Sequence, residues 1–253
     1  IQMSFNVIDG NGGITPQTAT ITINGANDLP DISIEVGDSE ADSVFETDAA
    51  LAASGSLTLS DVDLIDTVAV NVNSVVASGV TDGLDADNTA LLAMFSVPAV
   101  DVLDNAETTD TFNWNFASGT EAFDYLADGE DLILTYDIEA KDSQNATDNQ
   151  NVVITITGTN DDPVVAGPLA DTANEDDAPF SFDLLAGASD VDATDILSVD
   201  SFNVDSGDAS GIVLNGNAID IDPNAYNHLA LGESEIIQMS FNVIDGNGGI
   251  TPQ

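Results

Sequence analysis

The chain has 253 residues, of which 46 are Asp or Glu and one is Lys, for a formal net charge of −45. Such a surface repels nucleic-acid phosphates and anionic lipids, so nucleic-acid binding and membrane insertion are not expected. The absence of cysteine excludes disulfides and thiolate metal sites. Runs such as Asn151–Thr157 are too apolar and β-branched for disorder. A folded chain this acidic needs neutralising cations.

The first segment, Ile1–Gln17, returns residue for residue as Ile237–Gln253, an offset of 236 (237 − 1). Exact repetition predicts that the chain is a section of a tandem array. In each copy alternating apolar residues run into an Asp-Gly-Asn-Gly-Gly sequence, a pattern typical of a strand that ends at an acidic turn. Residues 1–25 are therefore predicted to be the C-terminal strands of a preceding repeat.

A second similarity relates Ile21–Pro30 to Ile154–Pro163 at an offset of 133 (154 − 21). The Asn-Asp-x-Pro element in each copy is a plausible joint, because Pro cannot extend a central strand. This predicts a longer β-sandwich repeat over 26–158 and a shorter one over 159–253 that lacks its last strand.

Short apolar or alternating runs separated by turn dipeptides such as Asp82-Gly83 and Asn215-Gly216 predict an all-β fold of sandwich units joined end to end. Trp114 falls at a core position of one run. One or two short helical turns are predicted at Glu121–Gly129 and Asn224–Gly232, which both end in Gly, with another at Ala86–Phe95. The extra residues of the longer repeat are expected as a loop or hairpin between Asp66 and Phe112.

Each repeat also contains an Asp-x-Asp-x-x-Asp cluster, at Asp61–Asp66 and at Asp190–Asp195. A Glu precedes each cluster, Glu46 in the first repeat and Glu175 in the second. Paired carboxylates in a loop suit Ca²⁺, which takes six to eight oxygen ligands. One His and no Cys cannot build a zinc or copper site, and no nucleophile–base pair suggests an enzyme.

Taken together, Gly-Thr-Asn-Asp-x-Pro, Glu followed by Ser-Asp-Val-Asp-x-x-Asp, and Val-x-Asp-Gly-Asn-Gly-Gly resemble the VCBS and cadherin-like repeats of giant bacterial surface adhesins of the RTX type. The resemblance implies Ig-like, cadherin-like β-sandwiches with Ca²⁺ in their joints, exported by type I secretion. It further implies that such repeats extend a distal binding domain away from the cell, in adhesion or biofilm attachment.

The resemblance also implies which residues bind the metal. In the first joint they are Asn27, Asp28, Asp61, Asp63 and Asp142, and in the second joint Asn160, Asp161, Asp190, Asp192 and Asp245. Asp9 is the equivalent residue of a further repeat. Glu46 and Glu175 are candidate ligands whose end of the sandwich the sequence leaves open.

Two alternatives to a Ca²⁺-rigidified extender remain. One is a β-sandwich module that binds a glycan or another surface directly, which an exposed aromatic cluster would favour. The other is a subunit of a head-to-tail extracellular filament, in which residues 1–25 complement the open edge of a neighbouring copy by strand addition. The expected partners are neighbouring repeats of the same array, and the distal surface or glycan ligand is unknown.

Overall fold

A computed structural model describes all residues, 1–253, and is almost entirely β, as predicted. The chain begins with a hairpin of two strands, β1 (Gln2–Ile8) and β2 (Ile14–Thr20), which pair only with each other. We call residues 1–25 the terminal hairpin. Its side chains are exposed on both faces.

Residues 31–157 form two four-stranded sheets. One has the order β3 (Asp31–Ser33), β5 (Ala52–Ser60), β8 (Thr109–Ala117) and β7 (Phe95–Ser96). The other has the order β4 (Ala41–Phe45), β10 (Thr147–Thr157), β9 (Asp131–Asp142) and β6 (Val68–Gly79). Neighbouring strands are antiparallel except β4 and β10, which run parallel. We refer to residues 26–158 as the first unit.

The core of the first unit is a single cluster of 25 buried residues between its two sheets. Trp114 is fully buried, and its indole N–H donates to the Ser39 carbonyl oxygen at 2.8 Å. Phe95 stacks between Trp114 and Tyr136, with ring centroids 5.6 Å and 4.3 Å away. Trp114 is thus a core residue, as predicted, and offers no platform for a sugar ring.

Residues 180–252 form two three-stranded sheets. One has the order β11 (Phe180–Asp183), β14 (Ala218–Ile221) and β13 (Ile212–Asn215). The other has the order β12 (Ser198–Ser206), β15 (Gln238–Ile244) and β16 (Ile250–Pro252). We refer to residues 159–253 as the second unit. Its core cluster has only four buried residues, Leu184, Ile219, Phe241 and Val243.

Of the three predicted helical segments, two contain a helix or a 3₁₀ turn and one does not. The helix α1 spans Asn88–Ala93, and its N-cap Asp87 accepts from the N–H groups of Thr89 and Ala90. A 3₁₀ turn, Pro223–Tyr226, falls partly within the second predicted segment. The prediction for Glu121–Gly129 was wrong, because this segment is a series of turns in which Phe123 has a φ of +67° and is fully buried. A left-handed backbone conformation interrupts a helix at that residue.

The insertion in the first unit is not an added hairpin. It lengthens β6 to Gly79 and then supplies α1 and the two-residue strand β7. Leu91 of α1 and Phe95 of β7 are buried in the core, so the inserted residues extend the core rather than form a free loop. No helix in the chain has the length and apolar character needed to cross a membrane.

Candidate metal centre

The carboxylates gather at the ends of the sandwiches because of strand periodicity. In β9 the residues Leu132, Leu134, Tyr136, Ile138 and Ala140 alternate as buried positions, and the next step of the alternation is Asp142, also buried. Successive side chains of a strand point to opposite faces, so an Asp placed two residues after a core residue faces inward. The same step leads from Leu59 to Asp61 and from Val243 to Asp245.

The first of these groups, which we call the first carboxylate cluster, brings Asp61, Asp66 and Asp142 together with Asn27, Asp28 and Asp63. The first three are buried, each about 4% exposed, and offer oxygens that all lie within 4.8 Å of one another. Linker residues hold the cluster in place. The Asn27 side-chain amide donates to Asp142 Oδ2 at 2.8 Å, and the Asp28 N–H donates to Asp63 Oδ2 at 2.7 Å.

The pKa values of two members of the first carboxylate cluster are shifted in opposite directions. Burial raises the pKa of Asp61, and the nearby charges of Asp63, Asp66 and Asp142 add to the increase. Burial also acts to raise the pKa of Asp142. There, however, hydrogen bonds from the Asn27 side chain and from the N–H groups of Ala146 and Gln144 outweigh burial and lower the pKa. Asp61 Oδ2 is buried and accepts no hydrogen bond. The chain therefore leaves one anionic oxygen without any partner.

The second carboxylate cluster repeats this arrangement with Asp190, Asp195 and Asp245, together with Asn160, Asp161 and Asp192. The Asn160 amide donates to Asp245 Oδ2 at 3.0 Å, and the Asp161 N–H donates to Asp192 Oδ2 at 2.9 Å. Both contacts have counterparts of similar length in the first cluster. One sequence pattern thus builds the same network twice.

A third group, the joint cluster, lies on the first unit where it meets the second. It consists of Glu46, Asp48 and Asp124, which offer oxygens within 4.8 Å of one another. Glu46 is fully buried, and its Oε2 accepts from the Thr159 hydroxyl at 2.8 Å. The Asp48 N–H donates to Glu46 Oε1. Asp48 has a φ of +50°, and Asp124 follows Phe123 with its φ of +67°. Strained backbone on both sides of these carboxylates is typical of a functional site.

Asp161 connects the joint cluster to the second carboxylate cluster. Burial raises its pKa to about 7, with further increases from the charges of Asp48, Glu46 and Asp192. Burial likewise raises the pKa of Asp192 to about 6, and the charges of Asp195, Asp190 and Asp245 act in the same direction. These linked effects show that carboxylates of both units and of the linker share one electrostatic environment.

The oxygens at this joint lack protein partners. The buried side-chain oxygens without a hydrogen bond are, at the joint, Asp124 Oδ1, Asn160 Oδ1, Asp161 Oδ2, Asp190 Oδ2, Asp192 Oδ1 and Asp195 Oδ2. The only Lys, Lys141, is exposed, so the chain has no cationic side chain to satisfy them. Buried anions without compensation are costly. A cation with several hard oxygen ligands fits this donor set.

The structure places most of the predicted metal ligands in the two carboxylate clusters. Those of the first joint meet in the first carboxylate cluster, and those of the second joint meet in the second. Glu46 faces the second joint, which settles the end that the sequence left open. Glu175 belongs to neither cluster, and its buried Oε2 has no hydrogen-bond partner. Asp9 is exposed in the terminal hairpin, apart from other carboxylates, and accepts from the N–H groups of Asn11 and Gly13.

Sequence reasoning missed Asp48 and Asp124. A signal for Asp48 was present, because Glu46-Thr-Asp48 returns as Glu175-Asp-Asp177 in the second repeat. Asp124 lies in the segment that was predicted as a helix. In the structure the turn brings an oxygen of Asp124 within 4.8 Å of oxygens of Glu46 and Asp48.

A family model described as a cadherin-like domain matches residues 159–253. No curated protein sequence matches the chain. Solved structures that resemble it include mouse protocadherin-24 EC1-3, with 16% identity and a TM-score of 0.43, covering 100% of this chain and 76% of that chain. Mouse clustered PcdhgC3 EC1-3 has 12% identity and a TM-score of 0.34, with coverages of 100% and 73%. AggA, a fimbrial major subunit from Escherichia coli, has 10% identity and a TM-score of 0.30, with coverages of 54% and 100%. Similarity at this level does not assign a function.

Proposed function

We propose that the chain is a Ca²⁺-rigidified structural spacer of an extracellular adhesin. The observation that carries the proposal is the joint between the two units. There, buried carboxylate oxygens without partners come from the first unit (Asp124), from the linker (Asp161) and from the second unit (Asp190, Asp192 and Asp195). Because the donors come from both units, one set of cations would hold both units.

The donor set suits Ca²⁺ better than a softer metal. It consists of carboxylates and the Asn160 amide oxygen, with no sulfur and no imidazole, and Ca²⁺ takes six to eight such oxygens in flexible geometry. Glu46, Asp48 and Asp124 would hold the metal on the first unit. Asp190, Asp195 and Asp245 would hold it on the second, and Asp161 would contribute to both sides.

The mechanical effect would be electrostatic. Without a cation the carboxylates that converge on Asp161 repel one another, and burial adds a further cost to their charged forms. This repulsion favours separation of the units. A bound cation would convert it into attraction, and the stabilisation grows as RT ln(1 + [Ca²⁺]/Kd). The joint would then be stiff at the millimolar Ca²⁺ for which extracellular modules are tuned, and loose when Ca²⁺ is removed.

The match of residues 159–253 to a cadherin-like domain supports an extracellular structural module of adhesion type. The finer assignment, to VCBS-like repeats of an RTX-type surface adhesin exported by type I secretion, depends on the sequence resemblance. We propose on that basis that the repeats extend a distal binding domain in adhesion or biofilm attachment. The chain would contribute reach and stiffness rather than recognition of a ligand.

Ca²⁺ removal tests this function. We expect EGTA to lower the melting temperature and to reduce the maximum dimension of the molecule in small-angle X-ray scattering, because the joint loses its bridging cation. Addition of excess Ca²⁺ should restore both values, and excess Mg²⁺ should restore them less well, since Mg²⁺ demands six ligands in near-ideal octahedral geometry. Scattering and melting that do not respond to EGTA would refute the proposal.

A further inference from the structure

Hydrogen bonds that need no cation also join the two units directly. The Ala193 N–H donates to the Tyr125 carbonyl oxygen at 3.0 Å, and the Thr194 hydroxyl donates to Glu130 Oε1 at 2.9 Å. Both acceptors lie on the first unit, in the segment Phe123–Glu130, which we call the docking turn. Both donors lie in the loop that supplies carboxylates to the second carboxylate cluster. The loop that would bind the metal therefore rests on the docking turn.

The docking turn is anchored to the core of the first unit. Phe123 and Leu126 are fully buried in that core. The Tyr125 hydroxyl donates to the Val80 carbonyl oxygen at 2.8 Å, which fixes the turn at a third side chain. Because protein cores are closely packed, a segment held in this way keeps its position without a metal. It is suited to act as a fixed surface for the second unit.

The chain also leaves the first unit along the docking turn. Gly158, the residue after β10, donates its N–H to the Glu130 carbonyl oxygen at 2.8 Å. Its own carbonyl oxygen accepts the Gly129 N–H at 3.2 Å. A side chain at Gly158 would collide with the carbonyl oxygens of Leu126 and Ala127. The start of the linker and the loop of the second unit are thus both held by one turn.

Glu130 differs from the metal-binding candidates around it, because both of its oxygens have protein partners. Oε1 accepts from Thr194, and Oε2 accepts the Ala127 N–H at 3.2 Å. The buried oxygens without a partner at the joint all belong to other residues. A hydroxyl that donates to a carboxylate makes a charge-assisted bond, which is stronger than a neutral one. Glu130 thus serves as an acceptor for the second unit.

The contact between Thr194 and Glu130 is not part of the repeated acidic pattern. The Asp residues recur at equivalent positions in both carboxylate clusters, but Ile65 stands in the first unit where the second has Thr194. Ile has no hydroxyl to donate. The hydroxyl contact therefore belongs specifically to the joint in which the second unit follows the first, and it serves a purpose separate from metal ligation.

We propose that the contact between Thr194 and Glu130 positions the second unit on the first, in the one orientation that brings the carboxylates of both units together. This inference rests on the proposed function, because the orientation matters for the cation that the joint would bind. A site assembled from two units binds a cation only while its donors are close. The apparent affinity is reduced by the fraction of molecules in other orientations, so a contact that excludes those orientations raises it. Both residues are positioning residues and not metal ligands.

Two substitutions at Thr194 test the proposal in the intact chain. Thr194→Val removes only the hydroxyl and leaves every carboxylate and the net charge unchanged, whereas Thr194→Ser keeps a hydroxyl. Thr194 is exposed, so neither variant disturbs a core. We expect calorimetric titration to show Ca²⁺ affinity about 3–10-fold lower in Thr194→Val, the effect of losing one hydrogen bond to a charged group. Thr194→Ser should retain the original affinity.

The orientation itself can be measured by pulsed electron paramagnetic resonance between two spin labels. The chain has no cysteine, so Ser54→Cys in the first unit and Val213→Cys in the second provide one labelled pair at exposed positions. With saturating Ca²⁺ we expect a narrow distribution of distances in the labelled chain and in its Thr194→Ser form. The Thr194→Val form should give a broader distribution, because the second unit takes up additional orientations.

A double-mutant cycle shows whether Thr194 acts through Glu130. In a Glu130→Ala chain, Thr194→Val should cause no further loss of Ca²⁺ affinity and no further broadening. The proposal is overturned if Thr194→Val and Thr194→Ser give equal affinities and equal distributions, or if Thr194→Val has its full effect in the Glu130→Ala chain. EGTA tests the proposed function separately. If the labelled chain gives the same distribution with EGTA as with Ca²⁺, the proposed function is wrong, and the widths measured for the two Thr194 variants still decide whether this contact sets the orientation.

Discussion

Asp192 lies at the joint between the units, in a position where its charge lowers the stability of the metal-free chain. It is almost completely buried, its Oδ2 accepts the Asp161 N–H, and its Oδ1 has no partner. Its buried charge is therefore a cost in the metal-free chain, and under the proposed function a bound cation would offset that cost.

We predict that Asp192→Asn has opposite effects on the metal-free and Ca²⁺-bound states. The amide can keep the contact to Asp161 through its oxygen while removing one buried charge, so the melting temperature in EGTA should rise. Ca²⁺ affinity should fall by about tenfold or more, since even loss of an outer-shell partner costs a metal site about 10–100-fold. Differential scanning calorimetry and calorimetric Ca²⁺ titration measure the two effects.

The matched control is Asp85→Asn, which removes the same charge from an exposed position in the loop before α1. It should leave Ca²⁺ affinity unchanged and alter the free energy of unfolding by no more than about 0.5 kcal/mol. Equal losses of affinity in the two variants would mean that net charge, and not the geometry of the joint, attracts the metal.

Asp161 and Asp192 also predict how stability depends on pH. Their pKa values in the folded chain, about 7 and about 6, lie above the ordinary value of 3.8, so the folded state binds protons that the unfolded chain has released. That contribution to stability is complete below about pH 4 and is lost as the pH rises through about 6 to 7. Metal-free protein should therefore melt at a higher temperature at about pH 5 than at about pH 8.

The stabilisation that Ca²⁺ provides should change in the opposite direction over the same pH range. Its ligands must be deprotonated, so Ca²⁺ affinity falls as these carboxyl groups gain protons. Melting curves of metal-free and Ca²⁺-saturated protein at several pH values should converge on acidification. If the metal-free melting temperature is constant or falls between about pH 8 and about pH 5, burial does not raise these pKa values.

At the scale of elements, one turn recurs three times and places an Asp at the end of a strand each time; two of these carboxylates, Asp142 and Asp245, are buried. Asp9, Asp142 and Asp245 each accept the N–H groups two and four residues later through the same oxygen. The first unit has Asn145 where the other copies have Gly12 and Gly248, and Asn145 adopts a φ of +74°. Asn tolerates this left-handed conformation better than most residues, so the altered sequence retains the turn and the position of Asp142.

Strand β5 gives a test of the core that positions the first carboxylate cluster. Gly55 lies opposite Trp114 in β8, and a Cβ at this position would lie 2.5 Å from Trp114 Cζ2. Gly55→Ala should therefore lower the free energy of unfolding by about 1–3 kcal/mol, the usual cost of overpacking a core. Urea unfolding followed by the fluorescence of the single Trp measures this change directly.

Ser54→Ala, on the exposed face of the same strand, serves as the control and should change the free energy by no more than about 0.5 kcal/mol. A Gly55→Ala variant as stable as Ser54→Ala would show that the sheet can shift to admit the methyl group. In that case the position of Asp61, six residues later and just past the end of the same strand, would not depend on tight packing here.

At the scale of the whole molecule, the two identical segments meet different environments. Phe241 and Val243 are 6% and 0% exposed in the second unit, whereas the equivalent Phe5 and Val7 are 50% and 52% exposed in the terminal hairpin. The hairpin register is the same in both places. Local sequence therefore specifies the hairpin, and the rest of a sandwich determines whether its apolar face is buried.

The net charge also affects the molecule as a whole, because it acts on how the two units are held together. A net charge of −45 opposes any compact arrangement of two units. Carboxylates of both units converge around Asp161, and under the proposed function a cation bound there would have its greatest effect on the shape of the whole chain.

The sequence by itself determined the repeat, the all-β class and most of the carboxylates, because strand alternation is local and carries Asp61, Asp142 and Asp245 inward at the ends of apolar runs. Only the tertiary structure decided that Glu46 faces the second joint, that Asp48 and Asp124 join it, and that Glu121–Gly129 is not a helix. Those features depend on which distant segments meet at one end of a sandwich. Such non-local packing decides between conformations that the local pattern leaves equally open.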